Sequence, residues 1–232
     1  HFGVSERQGE MASATPLLKG ETEAPAAPGC ILGVLSEGFS PDAKISKGDQ
    51  RVSMVPDVAE SLIKDGYAVY VERGAGVYAG YSDEAYAAKG CKVATRGDTI
   101  DKSDVLFALE APVQDFQRMN CKVLVSWVGR LQERGKEIIM KANQYRITVV
   151  DVTAVPRITI AQKLDVLSSQ AKVAGHRAVL EAAYSYQRFH TAEMTAAGKY
   201  PPAQTFVLGC GVAGLSAIGT SKAMGSVVRA WD

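Results

Sequence analysis

A glycine-rich segment near the end of the 232-residue sequence contains the residues whose chemistry is clearest. Thr205–Leu208 favour a strand and run directly into the pattern G-x-G-x-x-G. The first glycine of this pattern permits a tight turn, the second lets a pyrophosphate approach the backbone, and the third lets the following helix pack against the strand. The N-terminus of that helix offers unpaired N–H groups to phosphates. The predicted dinucleotide-contacting residues are Gly209, Gly211, Val212, Ala213 and Gly214.

An acidic residue follows the next apolar strand. Val227–Trp231 ends on Asp232, eighteen residues after Gly214. A carboxylate at this place in a dinucleotide fold accepts hydrogen bonds from the adenosine ribose, and it repels a 2′-phosphate. A lone glycine pattern is weak, but here strand, turn, helix, second strand and acid occur in order. The sequence therefore predicts an NAD(H) site rather than an NADP(H) site.

A second group of polar residues precedes a long helical stretch. Thr159–Gln162 has the spacing of a capping box, which predicts a helix from there to about Tyr186. Gln162, Asp165 and Ser169 are spaced i, i+3 and i+7, which predicts that their side chains lie on one face of the helix. Such a face is either a solvated helix start or a grip for a carboxamide, ribose hydroxyls and pyrophosphate. The group consists of Arg157, Gln162, Asp165, Ser168 and Ser169.

Strands and helices alternate before this stretch, which predicts a parallel sheet with helices on both faces. The predicted strands are Ile31–Leu35, Tyr67–Val71, Val105–Leu109, Val123–Trp127 and Thr148–Val150, and the predicted helices are Pro56–Ile63, Ser82–Gly90 and Glu133–Ala142. Small residues at helical spacing in the long helix favour close helix packing, as in a spine between two domains. They are Ala171, Ala174, Gly175, Ala178 and Ala182.

The predicted fold class is α/β, with two Rossmann-like, doubly wound parallel-sheet domains joined by a long helix, the second truncated. Residues 1–29 have few large apolar side chains and are expected to be a disordered linker or tag. Residues 30–152 form the first predicted domain, 153–200 a loop and the connecting helix, and 201–232 the start of the NAD-binding domain. Since a dinucleotide fold needs more strands, we expect the chain to be a fragment.

Composition excludes several classes of protein. The 26 basic and 25 acidic residues are scattered, so no nucleic-acid partner is predicted. Cys30, Cys91, Cys121 and Cys210 are far apart, which predicts reduced, buried thiols and no metal site. The segment between Lys199 and Lys222 lacks charges, but its prolines and glycines argue against a membrane span, and the chain itself is expected to be soluble.

From Ile31 to Asp232 the sequence resembles the NAD(H)-binding first domain of proton-translocating nicotinamide nucleotide transhydrogenase. The segment with Arg157, Gln162 and Asp165 is the most specific match. The matching segments are Asp49–Val52, Val71–Gly76, Val155–Ser169, Ala171–Gly175, Thr195–Lys199 and Gly209–Gly214.

This resemblance implies a function for the cluster. Arg157, Gln162, Asp165 and Ser168 would surround the nicotinamide, with the first three as the catalytic group, and Asp232 would hold the adenosine ribose. NADP(H) would be bound by a separate partner domain, and a membrane-spanning proton-channel domain would couple hydride transfer to proton movement. Family members commonly form homodimers. The domain would be peripheral to a membrane: the mitochondrial inner membrane, the bacterial cytoplasmic membrane or that of another organelle.

Hydride transfer between two nicotinamides needs position rather than proton transfer, because no substrate oxygen gains or loses a proton. The sequence fits this requirement, since it offers no histidine or lysine in the polar cluster's catalytic positions. His176 and His190 fall on or after the predicted spine helix and are interpreted as structural or solvated.

Two alternatives stay open. Alanine dehydrogenase is a related enzyme whose Arg corresponds to Arg51, but the segments expected to supply its Lys and His are Phe107–Pro112 and Val125–Gly129, which contain neither. Arg51 is therefore expected to form a structural ion pair, for example with Asp49. The other alternative is a non-catalytic fragment that serves only in assembly.

Overall fold

The structure, a computed structural model, describes residues 29–38, 49–156 and 158–232. The predicted linker therefore lies almost wholly outside the described residues, as does Arg157. In chain order the strands and helices are β1 (Ile31–Val34), α1 (Pro56–Lys64), β2 (Ala68–Glu72), α2 (Asp83–Ala88), β3 (Lys92–Ala94), α3 (Arg96–Lys102), β4 (Val105–Phe107), β5 (Val123–Ser126), α4 (Glu133–Gln144), β6 (Thr148–Asp151), α5 (Val166–Tyr186), β7 (Glu193–Thr195), β8 (Gly198–Tyr200), β9 (Gln204–Leu208), α6 (Val212–Ala223) and β10 (Val227–Trp231).

The first six strands form one parallel sheet in the order β3-β2-β1-β4-β5-β6. The strand order reverses between β1 and β4, as in a doubly wound fold. Alternate side chains feed two separate buried clusters: Leu106 packs in one, while Val105 and Phe107 pack against the other. Because successive strand residues point to opposite faces, both faces of the sheet are covered. We call this sheet and its helices the first unit.

Local signals position the helices of the first unit. Pro56 occupies the first turn of α1, where its missing N–H costs no hydrogen bond. The hydroxyl of Ser82 accepts a hydrogen bond from Ala85 N and caps α2. Gly66 has φ +96°, a left-handed conformation that suits the turn between α1 and β2. These parts of the sequence-based prediction are confirmed.

The segment β9–α6–β10 is a second βαβ unit. Its two strands pair in parallel, with Phe206 opposite Arg229 and Leu208 opposite Trp231. We call it the second unit. The α/β fold class with parallel sheets and a long connecting helix is confirmed. The domain limits 30–152, 153–200 and 201–232 stay predictions.

The connecting helix α5 runs for 21 residues and packs along α6. No helix in the described ranges combines the length and apolar character needed to cross a bilayer.

Three features differ from the sequence-based expectations. β3 and α3 were not predicted, and β7 and β8 form an antiparallel hairpin that was not predicted either. All four cysteines are free thiols, but the expectation that they are buried holds only for Cys91: Cys30 and Cys210 are partly exposed, and Cys121 is exposed. Cys121 departs furthest from the expectation. It occupies a turn with φ 60° after the segment that packs Met119 into the core.

Candidate functional site

The segment Gly209–Gly214, which we call the glycine turn, has the geometry that its sequence predicts. Gly209 adopts φ +92°, and its N–H donates to Trp231 O at 2.8 Å. A Cβ on Gly214 would collide with the carbonyl oxygen of Gly209, so only glycine fits there. A Cβ on Gly211 would meet nothing within 4 Å. The backbone at Gly211 is therefore open to a ligand, while Gly214 serves the close packing of helix and strand.

The glycine turn faces a cavity of about 500 Å³ beside the start of α5, which we call the turn cavity. This volume lies in the range of small-ligand sites, about 300–1,000 Å³. Ser168 is the hydroxyl that lines it. The lining residues are Leu167, Ser168, Ala171, Leu208, Gly209, Gly211, Val212, Ala213 and Gly214.

The N-terminus of α6 opens into this cavity. Gly211 is the N-cap residue and no side chain caps it. The first turn of the 12-residue helix, from Val212 to Gly214, directs its N–H groups and the positive end of its dipole towards the cavity. A phosphate is the group that this end of a helix binds best.

Close packing between α5 and α6 fixes the two walls of the turn cavity relative to each other. A Cβ on Gly175 would collide with the carbonyl oxygen of Ala213. One turn away, Ser216 Oγ donates to Lys172 O at 2.7 Å. Gly175 thus performs the close packing that its spacing predicts, whereas Ala174, Ala178 and Ala182 are exposed. Because Ala213 belongs to the glycine turn, this packing joins α5 to the turn, and we call the two together the helix–turn body.

Asp165 caps α5 rather than lying on its face. Its Oδ1 accepts from Leu167 N and Ser168 N at 3.0 and 3.1 Å, and its Oδ2 accepts from Ser168 Oγ at 2.6 Å. Asp165 therefore orients the hydroxyl that lines the turn cavity. The prediction that Gln162, Asp165 and Ser169 share one helix face is wrong, because α5 begins only at Val166.

Gln162 lies in a 3-10 helix, Thr159–Leu164, that precedes the Asp165 cap. The predicted capping box at Thr159 does not form: this short helix has Ile158 at its N-cap without a side-chain hydrogen bond. Gln162 is exposed and is not among the described residues that line the turn cavity. Arg157 lies outside the described residues.

Asp232 follows β10 directly, and Trp231 bonds to Gly209 across the strand pair. The acid is exposed. It thus stands at the carboxyl end of β10, beside the strand that leads into the glycine turn.

The carboxyl end of the first sheet is filled by the protein's own carboxylates. Glu37 accepts from Leu109 N at 2.6 Å and from Glu110 N at 3.0 Å. Burial raises the pKa of Glu37 above its ordinary value by more than these hydrogen bonds lower it. Glu37, which follows β1, therefore connects the end of β1 to the segment that follows β4, at the place where the strand order reverses.

Asp151 fills a second position at this edge. It accepts from Val128 N, Gly129 N and Arg130 N, at 3.1, 3.4 and 3.0 Å, and also from Thr153. Burial alone would raise the pKa of Asp151, but these hydrogen bonds outweigh it and hold the pKa below its ordinary value. These three backbone N–H groups, which a ligand would need as donors, are thus already hydrogen-bonded to Asp151.

Arg51 forms the ion pair expected of it. Its Nε donates to Asp49 Oδ1 at 2.9 Å, and hydrogen bonding from Arg51 is the main cause that lowers the pKa of Asp49. The cavity beside this pair is lined by Leu109, Glu110 and Trp127. The segments considered for a lysine and a histidine thus place neither residue in the described lining of this cavity.

The histidines hold backbone elements together. His176 Nδ1 lies 3.0 Å from Thr220 Oγ1 and links α5 to α6, and His190 Nδ1 lies 2.9 Å from Ser226 Oγ. Within the described residues no group of three or more His, Cys, Asp or Glu side chains is arranged to hold a metal ion.

Sequence reasoning missed part of the cavity wall. Leu167 and Ala171 line the turn cavity together with Ser168. The small side chain of Ala171 was noted for packing only, yet position 171 lies one turn after Leu167 and so shares its face. That spacing was the available signal.

Comparison with known proteins covers both units. Residues 42–174 match the family described as "Alanine dehydrogenase/PNT, N-terminal domain", and residues 178–232 match "Alanine dehydrogenase/PNT, C-terminal domain". The NAD(P) transhydrogenase subunit alpha of Haemophilus influenzae is 40% identical over 191 residues, which cover 82% of this chain and 37% of the relative.

A solved structure described as transhydrogenase from Sinorhizobium meliloti superposes with a TM-score of 0.79 at 35% identity, over 87% of this chain and 58% of that one. Alanine dehydrogenase 1 of Staphylococcus aureus is more distant, at 26% identity over 80% of this chain and 50% of the relative. The chain thus spans between about a third and half the length of these curated relatives.

Proposed function

The chain belongs to the alanine dehydrogenase/PNT family, and we propose that it forms the NAD(H)-binding part of a transhydrogenase. In this proposal hydride passes from NADH to NADP+ held on another domain. The similarity to a protein named NAD(P) transhydrogenase subunit alpha supports the proposal.

One structural observation carries it: the glycine turn, an uncapped helix N-terminus and the hydroxyl of Ser168 line a single cavity. The residues fit a dinucleotide, because the open backbone at Gly211 suits a pyrophosphate and the collision at Gly214 explains why the third glycine is required. Val212 and Ala213 would contribute N–H groups to the same phosphates. Asp232 would accept from the adenosine ribose.

The residues at the start of α5 would position the nicotinamide end. Ser168 would hydrogen-bond to the cofactor, and Asp165 would hold that hydroxyl in place through the 2.6 Å bond. Gln162 and Arg157 would bind from the segment that precedes α5. NADH would supply the hydride, so these side chains need to orient a ring rather than transfer a proton. An approach of about 3–3.5 Å between reacting atoms is what such orientation must provide.

The wider assembly is part of the same proposal. A separate domain would hold NADP(H), and a membrane-spanning domain would couple hydride transfer to proton translocation. This chain would then be peripheral to that membrane and would act as a homodimer.

The variant Gln162→Ala tests the role of the polar segment. We expect the rate of hydride transfer in the full-length, assembled protein to fall by more than the affinity for NADH. Gln162 is exposed and lies outside the lining of the turn cavity, so its amide would orient the nicotinamide and contribute little to holding the cofactor. Gln144→Ala, which removes an exposed glutamine from α4, is the matched control and should leave both quantities unchanged. An unchanged rate in Gln162→Ala would refute the role of Gln162.

The alanine dehydrogenase alternative has less support, because neither a lysine nor a histidine is among the described residues that line the cavity beside Arg51. Incubation with alanine, NAD+, pyruvate and NADH separates the two activities. Turnover of alanine or pyruvate in the absence of NADP(H) would favour the dehydrogenase.

A further inference from the structure

The guanidinium of Arg51 contacts both the first unit and α5. Its Nε donates to Asp49 at 2.9 Å, while its Nη1 donates to Gln170 Oε1 at 2.7 Å. Asp49 and Gln170 thus bind different nitrogens of one planar, rigid group. Gln170 belongs to α5, so this side chain bridges elements that lie 119 residues apart.

On the side of the sheet, the segment that carries Arg51 is fastened twice. Asp49 forms a parallel β-bridge with Gly38, just beyond the end of β1. Ser53 Oγ donates to Phe107 O, the last residue of β4, at 3.2 Å. Arg51 therefore stands between two attachments to the carboxyl end of the first sheet, and its position is set by that sheet.

On the side of the helix, Gln170 belongs to the helix–turn body, since it lies in α5. It directly precedes Ala171, which lines the turn cavity, and lies two residues after Ser168. The Gly175–Ala213 contact fixes this part of α5 to the turn. We therefore expect a movement of Gln170 relative to the first sheet to move the turn cavity with it.

A second cavity, of about 230 Å³, separates the two bodies, and we call it the interunit cavity. Arg51, Ser53 and Trp127 line it from the first unit, and Val166, Ser169 and Gln170 line it from α5. Because this space is not filled by packed side chains, the Arg51–Gln170 bond is placed to decide how far the bodies open.

We infer that Arg51 is a positioning residue: through Gln170 it sets the angle between the first unit and the body formed by α5 and the glycine turn. That angle aligns the nicotinamide end of the cofactor with the hydride acceptor. The kinetic part of this inference rests on the proposed function, whereas the geometric part does not.

The kinetic test uses the full-length, assembled protein, four single variants and the double variant Arg51→Lys/Gln170→Leu. Arg51→Lys keeps the positive charge but lacks the planar guanidinium that binds Asp49 and Gln170 together. Gln170→Leu removes the oxygen that accepts from Arg51, and Gln170→Glu keeps an acceptor oxygen at that place. Arg134→Lys is the matched control, since Arg134 pairs with Glu110 at the same sheet edge and is mostly exposed. The measured quantities are the single-turnover hydride-transfer rate at saturating NADH and the dissociation constant of NADH.

Arg51→Lys and Gln170→Leu should each slow hydride transfer by about tenfold or more, since misplacement on the order of 1 Å costs up to about a hundredfold. The dissociation constant of NADH should change less than the rate, and Gln170→Glu and Arg134→Lys should resemble the wild type. The double variant should be no slower than the slower single variant, because both changes remove one interaction. Additive losses, or equal losses in Gln170→Glu and Gln170→Leu, would overturn the inference.

A second readout does not depend on catalysis. Trp127 is half-buried in the interunit cavity, so opening of the cavity exposes its ring. In protein labelled with 5-fluorotryptophan, the ¹⁹F resonance of Trp127, assigned with Trp127→Phe, should show a larger H₂O-to-D₂O shift in Arg51→Lys and Gln170→Leu. An unchanged shift would contradict the positioning role even if NADH binds and reacts. If the shift is enlarged in the two variants but the wild type transfers no hydride, the proposed function is refuted and the positioning role of Arg51 is not.

Discussion

The carboxyl ends of the two parallel sheets differ in how their backbone donors are used. In the first unit, Glu37 and Asp151 accept from the N–H groups at the ends of β4 and β5. In the second unit, the strand β9 runs into glycines, and the N-terminus of α6 has no side-chain cap. The two parallel sheets thus present different surfaces to an anionic ligand at these strand ends.

The difference shows that the winding of a sheet does not make a nucleotide site. Ligands in such folds bind where the strand order reverses, beyond the carboxyl ends of the strands. In the first unit that place is occupied by Glu37, whose carboxylate would repel a phosphate. The second unit combines an uncapped helix N-terminus with a backbone that a phosphate can approach, at Gly211.

The change with the largest expected effect is Gly214→Ala. Its added methyl would collide with the carbonyl of Gly209, so the second unit must distort at a cost of about 3 kcal/mol, and NADH binding should be lost. Gly219→Ala is the control on the same helix: its methyl meets nothing within 4 Å, and it should stabilise the helix by up to about 1 kcal/mol. NADH fluorescence titration and urea unfolding measure both effects. Wild-type affinity in Gly214→Ala would contradict the account.

The next largest effect is expected in the first unit, from Asp151→Ala. Loss of this carboxylate leaves the N–H groups of Val128, Gly129 and Arg130 without their acceptor, which should cost about 2 kcal/mol of unfolding free energy. NADH affinity of the folded variant should stay at the wild-type value. A variant that is as stable as the wild type, or that binds NADH less tightly, would contradict the claim that Asp151 stabilises the first unit and takes no part in binding the cofactor.

A smaller effect is expected from Asp232→Asn in the second unit. The exposed acid contacts no core, so stability should not change, but the repulsion of a 2′-phosphate is removed. The preference for NADH over NADPH should fall by about fivefold, which corresponds to about 1 kcal/mol for one close charge pair in water. Dissociation constants for the two cofactors, measured in the wild type and the variant, check this. Equal constants already in the wild type would refute the role of Asp232.

The smallest effect is a pH dependence within the first unit, where the two carboxylates act in opposite directions. The pKa of Asp151 is lowered, so its contribution to stability is present above the ordinary value of 3.8 and is lost as the pH falls. The pKa of Glu37 is raised, so its contribution is present below 4.5 and is lost as the pH rises through the folded-state value. Urea unfolding between about pH 3 and 7 measures the free energy of unfolding. As the pH falls, this free energy should decrease less in Asp151→Asn than in the wild type, and as the pH rises above 4.5 it should decrease less in Glu37→Gln than in the wild type. The same profile in all three proteins would contradict both assignments.

The first unit shows which parts of the fold the sequence predicts well. Pro56 and Ser82 mark helix starts with side-chain chemistry that depends on few neighbours, and both positions were predicted correctly. β3 was missed because its three residues begin with a lysine and gain strand character only from pairing with β2. The T-x-x-D signal at Thr95, whose hydroxyl accepts from Asp98 N, was available for α3.

The start of α5 shows why a correct site segment can be given the wrong geometry. Thr159 and Asp165 both have the chemistry of a cap, and the sequence alone does not decide between them. Asp165 becomes the cap because its carboxylate reaches two N–H groups and a hydroxyl. The glycine turn was predicted more accurately, since Gly209 and Gly214 each meet a steric requirement of the backbone. Arg51–Gln170 could not be predicted, because a contact over 119 residues has no local signal.

A crystal structure of the full-length protein with bound NADH tests the central claim most directly. We predict that the pyrophosphate lies against Gly211 and the N-terminus of α6, with the nicotinamide end towards Ser168 and the adenosine ribose at Asp232. NADH bound instead at the carboxyl end of the first sheet, against Leu109 and Trp127, would contradict the claim that the second unit holds the cofactor.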